Sequence, residues 1–209
     1  MVTSLDALCG QEMVVALFHA GKTAGGHHWT VETAGGEVLA RTQRVHSGGR
    51  LARAAWKAVT LTGMDAGNDI HLELVGADDT VLARLESANA KPATVTVTGP
   101  AGEPVVRSTR ADGAITLDSG ATMPTEGDSP WTVTAADGSP RGELLAGEPG
   151  PSTTMSMWEI LIPYAPNMSS DFAKTMHLGL RRVLRYAYRP EGRPDPGLAL
   201  LPLLAGLTY

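Results

Sequence analysis

At 209 residues, 43% hydrophobic and 19% charged, the chain is long enough to bury one core and too apolar to stay disordered. A net charge of -5 excludes a global attraction to nucleic acid or anionic lipid, both of which reward a basic face. Cys9 is the single cysteine, which excludes an intramolecular disulfide and a cysteine-based metal cluster and suits a reducing cytoplasm.

The N-terminal stretch lacks a basic leader, and Asp6 and Glu12 interrupt its apolar run, so residues 1–26 read as a structured segment that packs on the strands beyond it. From there a hairpin rhythm begins. Trp29-Thr30-Val31-Glu32-Thr33 turns at Ala34-Gly35-Gly36 into Glu37-Val38-Leu39-Ala40-Arg41. Residues 51–61 fit strand or helix. Ile70-His71-Leu72-Glu73-Leu74-Val75 alternates apolar and polar residues, turns at Gly76-Ala77-Asp78-Asp79, and resumes as Thr80-Val81-Leu82-Ala83-Arg84. Ala93 to Thr98 turns through Gly99-Pro100-Ala101-Gly102 into Val105-Val106-Arg107, and Gly113 to Asp118 supplies a short strand. Trp131-Thr132-Val133-Thr134 then turns at Ala136-Asp137-Gly138.

After Pro149-Gly150-Pro151 the pattern predicts a last strand over Met155 to Ile162 and then a helix. Ser170 is its N-cap, Phe172, Met176, Leu180, Val183, Leu184 and Ala187 recur at helical spacing, and Arg181, Arg182, Arg185 and Arg189 gather at its negative end before Pro190. The expected architecture is mainly β: an antiparallel, hairpin-built barrel over residues 27–189, with one amphipathic C-terminal helix inside it or capping it, and a Pro/Leu-rich tail or lid at 190–209. The apolar stretch Leu198 to Leu207 contains Pro202 and is about half the roughly 20 residues a membrane span requires, so no transmembrane segment is expected.

This series, from the hairpins at Trp29, Ile70, Thr94 and Trp131 to the strand at Trp158 and the helix from Asp171, resembles the phospholipid-scramblase-like, LURP-one-related and tubby-like superfamily. The resemblance is architectural and spans residues 27–189. It implies an antiparallel barrel closed around a largely apolar helix, and a role in binding lipids or other apolar molecules. Contact of a basic helix with anionic headgroups is weighed against a dipole-compensating arginine cluster, which the negative net charge favours.

Conventional chemistry finds no foothold. His27 and His28 are adjacent, and neighbours on a strand point to opposite faces, so they do not chelate one ion together; no metal and no cofactor are expected. There is no Gly-x-Ser-x-Gly elbow and no phosphate-loop spacing. Met155, Met157, Trp158, Tyr164 and Met176, with Trp131, concentrate thioethers and aromatic rings that suit an apolar ligand, and these six are the candidate ligand-binding residues. Three functions remain open. The first is binding an apolar or lipid-like small molecule in a barrel pocket. The second is a cofactor-free cyclase that templates a polyene or polyketide-like substrate, with the Tyr164 hydroxyl as candidate catalytic donor. The third is a protein-interaction role, in which the apolar tail at 197–209 covers a partner or a second copy of the same chain as a homodimer.

Overall fold

The computed structural model describes residues 4–18, 29–45, 70–88, 92–146 and 185–208. Among them, twelve strands form one closed antiparallel barrel: β1 (Val14–Phe18), β2 (Trp29–Thr33), β3 (Val38–Arg44), β4 (Ile70–Gly76), β5 (Val81–Ala88), β6 (Ala93–Thr98), β7 (Pro104–Ala111), β8 (Ala114–Leu117), β9 (Thr122–Pro124), β10 (Trp131–Thr134), β11 (Pro140–Ala146) and β12 (Arg185–Pro190). Each strand pairs with the next in sequence, and β12 returns to β1 through Val14↔Tyr188 and Ala16↔Tyr186. Closure leaves none of these twelve strands at an open edge.

The predicted hairpins appear as β2–β3, β4–β5, β6–β7 and β10–β11. Alternation sets the two faces. Leu72 and Leu74, Val95 and Val97, Ile115 and Leu117, and Trp131 and Val133 are buried toward the lumen. Arg41, Glu73, Arg84, Glu86 and Arg107 lie on the outer wall, with Arg84–Glu73 at 3.6 Å. Apolar inside and charged outside is the reverse of the pattern by which transmembrane barrels face lipid.

At the end we call lower, five turns share one construction. In each, the first residue's N–H donates to the carbonyl four residues on, and the fourth residue's N–H donates back to the first: Thr33, Gly76, Gly99, Leu117 and Ala135 begin these turns, with N···O distances of 2.7–3.1 Å. The fourth residue has positive φ in every case: Gly36 85°, Asp79 65°, Gly102 91°, Gly120 84° and Gly138 83°. This is the type I turn followed by a left-handed residue and a bulge, which glycine accommodates without steric cost and aspartate tolerates.

The structure departs from the sequence expectations toward both ends of the chain. Residues 185–190, expected to end the helix, form the strand that closes the barrel. Tyr186 and Tyr188 face the core and alternate with Arg185, Ala187 and Arg189, a two-residue period that the helical spacing of Leu180, Val183, Leu184 and Ala187 obscured. The helical segment of the described chain is instead the tail: α1 (Pro196–Ala199) and α2 (Leu201–Leu207). In addition, β1 lies within the stretch 1–26 expected to pack on the barrel. The expected strand at 155–162, the start of the expected helix and the interval 51–61 fall outside the described residues.

The tail lies in the lumen. α2 contacts β1 and β12 while α1 contacts β7, on the opposite wall of a twelve-membered ring, and only an interior element can touch both. The dimensions agree. Twelve strands spaced about 4.8 Å apart and tilted about 40° enclose a cylinder roughly 24 Å across, and a helix with its side chains takes about 10–12 Å of it. One layer of wall side chains fills the remainder. Leu198, Leu200, Leu201, Leu203, Leu204 and Leu207 are all buried, and a helix apolar on every side requires such surroundings.

Its ends are secured. Asp195 Oδ1 accepts the Leu198 N–H at 2.9 Å as N-cap, and Pro196 begins α1, where no N–H partner is needed. Pro202 falls in the first turn of the second segment, after a break at Leu200, so it removes no bond from a helix interior. At the far end Thr208 Oγ1 donates to Leu204 O at 3.0 Å, and Arg110 Nη1 donates to Thr208 O at 3.3 Å, placing a cation at the helix's negative pole.

Candidate functional site

The two ends of the barrel differ in what they carry. The lower end carries the five short turns and, leading into β1, the N-terminal segment, whose Leu8 and Cys9 are buried against the core. At the upper end the longest connections leave and return: 19–28 between Phe18 and its partner Trp29, 45–69 between β3 and β4, and 147–184 between β11 and β12. The pairs Leu17↔Arg185 and Ala146↔Tyr186 place the start of β12 beside the end of β1 and of β11 at that end. The short turns thus lie at one end of the wall, and at the other the chain leaves and returns through residues outside those described.

Below the upper rim, the outer wall of β12, β1 and β2 is buried although it faces away from the lumen. Val15, Leu17 and Ala187 are buried there, with Glu32 4% exposed and Thr30 8% exposed. Thr30 Oγ1 donates to Glu32 Oε1 at 2.6 Å, so the carboxylate keeps a hydrogen bond where it has lost most of its water.

Of the six sequence candidates, Trp131 alone lies within the described residues. It begins β10, points into the core at 7% exposure and donates from Nε1 to Gly127 O at 3.3 Å. It is part of the packing between wall and helix. Met155, Met157, Trp158, Tyr164 and Met176 lie in the connection 147–184, outside the described residues.

An unassigned feature sits at the lower mouth. A cavity of about 250 Å³ is lined by Ser119, Ala121, Ala135, Arg141, Glu191, Arg193, Pro194, Asp195 and Leu198. The Tyr188 hydroxyl donates to Arg141 O at 2.6 Å and the Glu191 N–H donates to the same oxygen at 2.9 Å, fixing the backbone beneath the Arg141 side chain. Burial, reinforced by the Asp195 charge, holds the Tyr188 phenol well above its usual range, so it stays a donor. Burial likewise raises the Cys9 thiol, with Asp6 adding to the effect, and leaves it unsuited to act as a nucleophile near neutrality. Sequence reasoning passed over this mouth; its one signal was the alternating charge of Arg189, Glu191, Arg193 and Asp195.

Among the described residues no group of three or more His, Cys, Asp and Glu side chains is arranged to hold a metal ion, and no helix is long and apolar enough to cross a membrane. No family model, curated protein or solved structure matches the chain.

Proposed function

We propose that this protein is a binding module in which the helix-filled barrel is a scaffold and the connection 147–184 at its upper end holds an apolar or lipid-like small molecule. The observation that carries this reading is the position of the tail. With Leu198 to Leu207 packed against the inner wall, the described part of the lumen is occupied by the chain's own leucines, which favours holding a ligand at an end. The same fact removes the exposed patch on which a homodimer through 197–209 depended, because those leucines are covered by their own chain. The wealth of Met, Trp and Tyr in 155–176 gives the upper end the chemistry for an apolar partner. A barrel closed around an apolar helix is the architecture that a scramblase-like or tubby-like resemblance implies, and the binding role proposed here draws on that resemblance.

Native mass spectrometry of freshly purified protein, with extraction of any bound molecule and titration with Nile red, tests the proposal. Expected is a retained or saturably bound apolar molecule whose affinity falls about tenfold or more in Trp158→Ala, at unchanged thermal stability. A clean mass with no dye uptake overturns the binding role, and uptake indifferent to Trp158→Ala and Tyr164→Phe overturns its placement.

A further inference from the structure

The lower mouth is separate from that site and has its own chemistry. Arg141, Arg193, Glu191 and Asp195 surround one cavity of about 250 Å³. Among the described residues no ion pair joins any of the four, although opposite charges face the same space. Asp195 uses one carboxylate oxygen to cap Leu198. The side chains of the two arginines and Glu191 make no hydrogen bond among the described residues. These charges stand on three different supports: Arg141 on the β10–β11 hairpin, its backbone carbonyl held by the Tyr188 hydroxyl, Arg193 on the link after β12, and Asp195 at the start of the luminal helix. Ser119, from the β8–β9 turn, adds a hydroxyl to the rim.

We infer that this cavity binds a small amino-acid-like zwitterion, its carboxylate on the Arg141 and Arg193 guanidinium groups and its ammonium on Glu191 and Asp195. Two cations and two anions give a lining of no net charge. A simple anion would be drawn to the arginines and repelled by the carboxylates, and a simple cation the reverse. A ligand carrying both signs at a separation matching the cavity satisfies all four. Guanidinium presents a planar fork that complements a carboxylate with two parallel hydrogen bonds. The mouth is wet and open, so the expected affinity is modest.

Calorimetric or NMR titration of the full chain with ω-amino acids from glycine to 6-aminohexanoate, alongside butyrate and butylammonium, tests this. Expected is saturable binding by at least one chain length, about tenfold or more tighter than either half-ligand. Arg141→Gln and Arg193→Gln each weaken it by a similar factor, while Glu191→Gln erases the preference over butyrate. Both arginine side chains are exposed and the Arg141 carbonyl survives the substitution, so unfolding midpoints should not move. The absence of saturable binding across the series overturns the proposal, as does binding indifferent to both arginine substitutions. Butyrate binding as tightly as the best amino acid overturns the zwitterion assignment.

Discussion

Gly206 lies against the face of Trp29: a Cβ built on Gly206 would stand 2.2 Å from the indole Cη2, closer than any real carbon contact. Glycine in a helix ordinarily costs about 1 kcal/mol relative to alanine. Here it lets the helix and the largest fully buried wall residue share one space. Gly206→Ala should therefore destabilise the fold by about 1–3 kcal/mol despite its better helix propensity, as read from denaturant midpoints. In a Trp29→Leu background the cost of Gly206→Ala should shrink, because the smaller side chain leaves room for the added methyl.

The helix is core in its own right. Leu204 is fully buried within the lumen. Leu204→Ala should cost about 2–5 kcal/mol, through lost burial and the cavity left between helix and wall. Chemical denaturation measures the loss, and a change below about 1 kcal/mol would contradict the luminal position.

The lower turns separate backbone strain from contact. A Cβ added at Gly138 meets no atom within 4 Å, yet the residue's φ is 83°. Gly138→Ala should thus cost about 1–2 kcal/mol, all of it conformational. At Asp79, with φ of 65°, the converse change to glycine relieves a left-handed aspartate while losing an exposed ion pair with Arg41. These oppose each other, along with the added freedom of the unfolded chain, so Asp79→Gly should lie within about 1 kcal/mol of neutral in thermal unfolding.

Two exposed turn aspartates give the acid limb of stability its sign. The Ser139 hydroxyl and N–H, at 2.6 and 2.9 Å, favour ionised Asp137, and hydrogen bonding from Thr80 does the same for Asp78, so both carboxyls sit below their ordinary values. A depressed folded pKa contributes stability above the unfolded value, about 3.9, and that contribution disappears as pH falls through the folded value. Asp137→Ala should be less stable than the parent at pH 7, and the gap should narrow below about pH 4 in urea titrations.

The hairpins were legible because their signals are local. Alternation at Ile70 to Val75 and Asp-Gly or Gly-rich turns at Gly36, Gly102 and Gly138 act within a few residues. The luminal helix was not legible, because its two apparent breakers have tertiary reasons: Pro202 falls in a first turn and Gly206 is demanded by Trp29. The uninterrupted apolar run Val14 to Phe18 hid β1 for a related reason. With Val14 and Ala16 facing the lumen and Val15 and Leu17 buried on the outer wall, the strand shows no alternation. At the site, the ring of Trp131 suits a ligand contact in sequence, while in the fold it points inward from β10 and joins the buried core. The lower mouth escaped because its four charges come from β11 and the link after β12, and only the fold draws them together.

The pairing of β1 with β12 also constrains when the barrel can exist during translation. The strand that closes the ring, and the helix that fills it, are the last of its elements to leave the ribosome. Until then every lumen-facing side chain made earlier lacks its cover, and β1 and β11 present open edges to other nascent chains. A message broken off before β12 would yield an open, sticky sheet rather than a slightly weaker barrel. Emergence of the closing strand and its helix thus acts as the checkpoint for assembly.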